Sequence, residues 1–280
     1  MIQERTMTGM QRISAAFAAA RKESRAALMP YFTLGYPDAS LSTAIVEAIA
    51  QAGADLIELG IPFSDPLADG PTIQHSTQVA LEGGMNVRGC LDIVAAIRGR
   101  GVSQPLLLMG YINPLLAYGS TRFVNDAAAA GADGLIVPDL PPEEAAELEQ
   151  LCRDCSLALV YLLPPTAGPE RLKVVAARSR GFLYLVSLTG VTGARPTLPP
   201  DLENFIRRAR QATDLPLAVG FGISTPEQAR LVGAVADGVI VGSALIESVR
   251  NAQDPVKAAE NFVSLLAKGL QGGRQFERPG

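Results

Sequence analysis

The stretch Ala52-Gly53-Ala54-Asp55-Leu56-Ile57-Glu58-Leu59-Gly60 holds a complete helix-to-strand transition. The pattern Leu41–Ala52 ahead of it is amphipathic, and Ser40 can cap its start. Glycine at position 53 suits a helix C-terminus, because it enters left-handed conformations without a Cβ clash. The run Asp55–Leu59 that follows is short and apolar without clean alternation, as a parallel strand covered on both faces should be. The same glycine-marked turn recurs at Ala130-Gly131-Ala132-Asp133 and Ser179-Arg180-Gly181-Phe182.

Working outward, eight such apolar runs occur: Ala27–Thr33, Asp55–Leu59, Leu106–Gly110, Gly134–Pro138, Ala158–Leu163, Phe182–Ser187, Leu217–Gly220 and Gly238–Val241. Helical patterns lie between them, among them Glu143–Cys152, Pro169–Ser179, Leu202–Ala212, Thr225–Leu231 and Pro255–Lys268. Strict strand–helix alternation at this length predicts an α/β chain folded as a single (β/α)8 TIM barrel. An open doubly wound sheet is the rival, but G-x-G-x-x-G does not follow the first run. The Ala-rich segment Ile13–Arg25 predicts an extra N-terminal helix over the barrel floor, and Ala244–Arg250 a short helix after the eighth run. The whole chain, 1–280, reads as one barrel domain, with a disordered tail at 272–280.

Composition narrows the chemistry. The 280 residues carry a net charge of −4, which argues against a nucleic-acid or anionic-membrane surface. A single histidine, His75, excludes a histidine-rich metal centre, so no metal site is expected. Three cysteines, Cys90, Cys152 and Cys155, suggest reduced thiols and a cytoplasmic setting. Cys152-x-x-Cys155 ends a helix, where a thiolate gains nothing from the dipole. The N-terminus lacks a signal-peptide core, and no apolar run approaches the roughly 20 residues that span a bilayer. Acid–base work would fall to carboxylates.

Three segments carry that chemistry. Glu58 interrupts an apolar strand, where an ionised, unpaired carboxylate costs several kcal/mol. It is a structural ion pair, a solvated strand end, or a functional acid with a raised pKa near the catalytic rim of the barrel. Asp65 and Asp69 follow in the loop Gly60-Ile61-Pro62-Phe63-Ser64-Asp65-Pro66-Leu67-Ala68-Asp69-Gly70, where each is either a turn former or a second carboxylate facing Glu58. Gly220-Phe221-Gly222-Ile223-Ser224 and Gly242-Ser243-Ala244 are tight turns or a phosphate cradle completed by a helix N-terminus. Ser187-Leu188-Thr189-Gly190-Val191-Thr192-Gly193-Ala194-Arg195 reads as a lid or a surface loop. Tyr111 and Tyr184 line either a pocket or the core, and Asp139 ends a strand at the catalytic face or caps the next helix.

The run Ile57–Gly70, continued by Pro71-Thr72-Ile73-Gln74, Val137-Pro138-Asp139-Leu140-Pro141, Gly190-Val191-Thr192-Gly193, Gly220-Phe221-Gly222-Ile223 and Gly242-Ser243, resembles the tryptophan synthase alpha chain family. The resemblance spans about Met10 to Lys268. It implies a lyase that cleaves indole-3-glycerol phosphate to indole and glyceraldehyde 3-phosphate by a retro-aldol reaction. Glu58 then matches the principal acid–base group and Asp69 the residue that binds the indole N–H. Tyr184 matches a pocket tyrosine, and Gly193, Gly222 and Ser243, with their neighbours Thr192, Phe221 and Gly242, the substrate-phosphate binders. Asp65 matches a loop residue that signals to the partner. That partner is a beta chain carrying pyridoxal phosphate in an α2β2 heterotetramer, with no cofactor on the alpha chain itself. The pattern departs at Tyr36, where many relatives are acidic, which bears on the mouth or the partner surface. A stand-alone lyase, another phosphate-binding barrel of the isomerase class and a non-catalytic regulatory subunit are the competing readings.

Overall fold

The computed structural model describes residues 7–186, 200–220 and 222–272. Its nine strand segments are all parallel: β1 (Ala27–Thr33), β2 (Ile57–Gly60), β3 (Leu106–Met109), β4 (Gly134–Ile136), β5 (Ala158–Val160), β6 (Leu162–Leu163), β7 (Leu183–Val186), β8 (Leu217–Gly220) and β9 (Gly238–Val241). They pair in the order β5-β4-β3-β2-β1-β9-β8-β7-β6. The two ends of this order, β5 and β6, are separated in sequence by Tyr161 alone. The sheet therefore closes on itself, and the expected eighth-fold barrel is present with its fifth strand broken once. The break has a local cause: the Tyr161 N–H donates to Ser179 Oγ at 3.1 Å rather than to a neighbouring strand. The Tyr161 carbonyl still accepts from the Tyr184 N–H at 3.2 Å, which carries the ladder across the break.

Closure sorts every strand residue to one of two faces. Leu28, Ile57, Leu59, Leu106, Leu108, Leu135, Leu183, Val219 and Val239 point outward and pack with the surrounding helices. Ala27, Met29, Leu56, Leu107, Ile136, Val160, Phe182, Ala218 and Ile240 point inward. Both faces are buried, which is why the strands read as continuous apolar runs. Helices begin at recognisable signals. Asp38, rather than Ser40, caps the helix Ala39–Gln51 by accepting the Leu41 N–H at 2.8 Å. The expected helix after Pro141 is split into a 3-10 turn, Pro142–Glu144, and an α-helix, Ala146–Asp154. Gly131 takes the left-handed cap conformation (φ +96°), whereas the helix before Gly181 ends earlier, at an extended Ser179. Helices Pro71–Glu82, Val87–Gly99, Ile112–Tyr118 and Ser120–Ala130 complete connections that the sequence patterns left open. Of the tail expected to be disordered, residues 273–280 lie outside the described residues.

The N-terminal helix runs from Gly9 to Lys22 and plugs the floor of the barrel. Its Ile13 and Phe17 enter the inner cluster, with Phe17 5.7 Å from Phe182 between ring centroids. Gly9 lies so close to the backbone of Asp133 that a Cβ would come within 2.5 Å of its carbonyl oxygen. Three aspartates just ahead of strands hold this floor. Asp55 accepts the Leu28 N–H at 2.7 Å, Asp133 the Leu106 N–H at 2.8 Å and Asp237 the Leu217 N–H at 2.8 Å. Each also meets arginine: Arg25 on Asp55, Arg12 and Arg98 on Asp133, Arg21 and Arg210 on Asp237. Sequence patterning showed two of these aspartates only as neighbours of a glycine turn.

Asp133 is fully buried and serves both arginines, so removing it strands two charges and a backbone donor. Asp133→Ala should lower the unfolding free energy by about 3–5 kcal/mol, and the partly exposed Arg12→Ala by about 1 kcal/mol. Urea unfolding midpoints of the two variants check this, and near-parent stability of Asp133→Ala contradicts it.

Candidate active site

Glu58 sits on β2 with Tyr31 of β1 and Leu107 of β3 as its register partners. Its side chain shares the inward face of the barrel with Leu56. It is fully buried, and neither carboxyl oxygen has a hydrogen-bond partner among the described residues. Two of the three sequence readings are thereby removed: Glu58 is neither ion-paired nor at a solvated strand end. Burial pushes its pKa up to about 8, so the carboxyl is mostly protonated at neutral pH.

Glycine makes room for two tyrosines beyond Glu58. Gly60 is the next inward position on β2, and a Cβ there would fall 2.0 Å from the Tyr31 hydroxyl oxygen. Gly220 is its counterpart on β8, where a Cβ would come 2.9 Å from the Tyr184 hydroxyl oxygen. Two tyrosines thus lean over positions that carry no side chain, and their phenol groups occupy the space that side chains at 60 and 220 would take at the C-terminal end of the barrel. Tyr184 is buried, and burial together with the nearby Glu58, Tyr31 and Asp69 keeps its hydroxyl protonated. Tyr31 was missed in the sequence, because a tyrosine in an apolar strand has no local signal separating pocket from core. The glycine facing it from the neighbouring strand is the only clue.

Asp69, on the loop after β2, lies close enough to Tyr31 and Tyr184 for its charge to raise both phenol pKa values. It is half-buried, and burial raises its pKa to about 6 against the lowering effect of a hydrogen bond with Tyr111. Tyr111 anchors the loop as well, since its hydroxyl accepts the Ala68 N–H at 2.9 Å and its ring lies 5.5 Å from Phe63. The pocket reading of Tyr111 is therefore the better one. Asp65 stands apart from Glu58. It is exposed and accepts the Ser64 hydroxyl at 2.6 Å, beside Leu67, which is 95% exposed. A cavity of about 360 Å³ opens here, lined by Phe63, Asp65, Leu67, Tyr111, Asn113 and Asp139.

Gly222 and Ser243 follow the C-terminal ends of the adjacent strands β8 and β9. Gly222 has φ +65°, a conformation that favours glycine, and both residues are exposed. Ser243 opens the helix Ser243–Arg250, one residue earlier than expected, with Gly242 at its N-cap. The first N–H groups of that helix lack intrahelical acceptors and suit an anion. Thr192, Gly193 and Phe221, with the expected lid, lie outside the described residues.

The remaining candidates have structural places. Asp139 accepts the Ile112 N–H at 2.9 Å, so it caps the helix after β3 rather than the one that follows it in sequence. Tyr36 is buried against Phe32 and His75, and so belongs to the core rather than to an outer surface. Cys90 and Cys152 are buried thiols. Among the described residues no group of three or more His, Cys, Asp or Glu side chains could hold a metal ion, and no helix is long and apolar enough to cross a membrane.

The family model described as tryptophan synthase alpha chain matches residues 17–272. The tryptophan synthase alpha chain of Chloroflexus aggregans is 55% identical over 238 residues, covering 85% of this chain and 89% of that one. The Chloroflexus aurantiacus alpha chain is 52% identical over 263 residues, covering 93% and 99%. A solved structure of Mycobacterium tuberculosis tryptophan synthase superposes with a TM-score of 0.87 at 40% identity, covering 94% of this chain and 99% of that one. The alpha subunit from Legionella pneumophila superposes at 0.86 with 37% identity, covering 92% and 98%.

The raised pKa of Glu58 has a consequence for stability. The folded state holds a proton that the unfolded state releases near pH 4.5, so between that value and about 8 the folded protein binds more protons. Stability from this group is fully present below pH 4.5 and is lost as pH rises toward 8. Glu58→Gln, which cannot ionise, should therefore gain in Tm over the parent progressively from about pH 5 to pH 8. Thermal melts followed by circular dichroism across that range test it, and a constant difference contradicts it.

Proposed function

The chain belongs to the tryptophan synthase alpha chain family, and we propose that it cleaves indole-3-glycerol phosphate to indole and glyceraldehyde 3-phosphate. The whole chain acts in this reading as one barrel domain. The observation that carries the proposal is Glu58: a buried, largely protonated carboxyl with no hydrogen-bond partner among the described residues, on the inward face of the barrel near Tyr31, Tyr184 and Asp69.

The reaction breaks the bond between indole C3 and the glycerol side chain. C3 must gain a proton, which turns the ring into a better leaving group. The hydroxyl on the adjacent side-chain carbon must lose its proton as the carbonyl forms. A carboxyl group with a pKa of about 8 can give the first proton and take the second, because both of its states are accessible near neutral pH. Protonation at C3 builds positive charge that spreads to the ring nitrogen. Asp69, as a carboxylate accepting the indole N–H, stabilises that charge where little water competes. Its pKa of about 6 leaves it mostly ionised at pH 7 while Glu58 is mostly protonated. Two carboxyl groups in different environments thus divide the roles.

Gly222, Gly242 and Ser243 bind the phosphate in this proposal, through backbone N–H groups and the dipole of the helix Ser243–Arg250. Thr192, Gly193 and Phe221 join them at the same group. The phosphate supplies binding energy remote from the bond that breaks. Asp65, exposed on the rim beside Leu67, is suited to signalling toward a partner. That partner is the beta chain, with its pyridoxal phosphate, in an α2β2 assembly. Three free cysteines fit a cytoplasmic setting.

In an indole-release assay, Glu58→Gln should lose at least about 100-fold in kcat while still binding glycerol 3-phosphate. Near-normal turnover would reject the role. Asp69→Asn should also be slowed severely, since an amide supplies no counter-charge to the indole nitrogen, and an unchanged rate sinks that assignment. Added beta chain should raise the rate strongly, whereas indifference to it would favour a stand-alone lyase.

A further inference from the structure

Tyr111 is held at several points. It follows β3 and is the N-cap of the helix Ile112–Tyr118, whose first N–H, that of Ile112, donates to the Asp139 carboxylate at 2.9 Å. Its side chain is buried, with the ring 5.5 Å from that of Phe63. Two consecutive residues of the β2 loop meet its hydroxyl. The Ala68 N–H donates to it at 2.9 Å, and the Asp69 side chain is hydrogen-bonded to it.

The protons fix the direction of both bonds. An amide N–H can only donate, so the phenol oxygen accepts from Ala68. That bond leaves the one phenol proton uncommitted. A carboxylate can only accept, so the proton is given to Asp69. Burial, and then the charges of Asp69 and Asp139, push the Tyr111 pKa up, which keeps the proton on the phenol.

The backbone of Asp69 has anchors of its own. Its N–H donates to the Pro66 carbonyl at 3.1 Å, and its carbonyl accepts from Gln74 Nε2 at 2.9 Å. Those bonds leave the direction of the side chain open. The other titratable groups close to it are Tyr31 of β1 and Tyr184 of β7.

We propose that Tyr111 is a positioning residue for Asp69: its hydroxyl takes the Ala68 N–H and gives its own proton to the Asp69 carboxylate, which aims that carboxylate and keeps it ionised. A hydrogen bond to the charged form of an acid favours that form. A carboxylate has two oxygens, so one holds the phenol while the other is left for the indole N–H. The importance of Tyr111 for turnover rests on the reading of Asp69 as the acceptor of that N–H, but the hydrogen bond itself does not.

The test titrates Asp69 directly in the full chain, by the chemical shift of its carboxyl carbon in protein labelled with 13C-aspartate. Loss of the resonance in Asp69→Asn assigns it. In the parent the midpoint should lie at about 6. Tyr111→Phe removes the donor and keeps the ring against Phe63, and Ala68 is exposed, so water can take up its N–H. There the midpoint should rise by about one pH unit. Phe63→Leu keeps the phenol, trims the packing around it and should leave the midpoint near the parent value. An unchanged or lowered midpoint in Tyr111→Phe overturns the proposal, as does an equal rise in Phe63→Leu, which assigns the effect to packing. In indole-release assays the acid limb of the pH–kcat/KM profile should follow the titration, while the basic limb, set by Glu58 at about 8, stays in place. The kcat/KM of Tyr111→Phe relative to the parent should therefore be about fivefold lower at pH 6 than at pH 8. A loss that is even across pH overturns the positioning role. Absence of cleavage by the parent chain would reject the functional reading and leave the carbon titration to decide on Tyr111.

Discussion

An open parallel sheet leaves two edge strands with unpaired backbone groups, and this chain leaves none, because its last strand pairs with its first and the two ends of the sheet meet within one strand. Segments β5 and β6 are the two ends of the sheet and also two halves of one strand, parted at Tyr161. Everything else follows from that closure. A closed sheet has an inside, and an inside is the one place where a short carboxyl-bearing side chain can be kept wholly from water by strand neighbours alone. Glu58 occupies it. Had β2 been an edge or half-exposed strand, the same residue would have been an ordinary ionised glutamate.

The two ends of the barrel are built on opposite principles. At the floor, Asp55, Asp133 and Asp237 are fully engaged by arginines and by backbone N–H groups. The N-terminal helix fills the opening with Ile13 and Phe17. At the rim, Gly60 and Gly220 give way to tyrosine hydroxyls, and a carboxyl is left without a partner among the described residues. Satisfied charge and dense packing stabilise the end that does no chemistry. The unsatisfied acid is tolerated at the other because it stays neutral, and the cost of its burial appears as a raised pKa rather than as an unpaired ion.

Much of this was legible in the chain. The strand–helix alternation and the glycine turns predicted the barrel, and a lone glutamate between leucine and isoleucine marked the acid. The loop aspartate and the glycine turns at the ends of β8 and β9 were visible as motifs. Less visible were residues whose meaning depends on a neighbour distant in sequence. Asp139 reads as a cap for its own helix but caps the one after β3, 27 positions upstream. Tyr36 stands where the resemblance suggests an outer contact, yet its ring is buried on His75. Tyr31 gave no local signal.

Sequence alone determined the periodicity, and with it the class of fold, because parallel strands buried on both faces need apolar side chains at nearly every position. It also determined which residues had protons to move, since composition left carboxyl groups as the main candidates. Tertiary structure decided their state. Whether Glu58 is charged depends on what the seven other strands bring beside it, and that no described residue among them is a partner is an absence that no stretch of sequence records. Whether the Tyr31 phenol meets a polar neighbour depends on Thr33, whose hydroxyl in turn lies 2.7 Å from that of a serine 43 positions beyond it, on a different element. Local propensity acts over a few residues along the chain. Desolvation and hydrogen-bond direction act across space, and only the closed barrel brings those groups together.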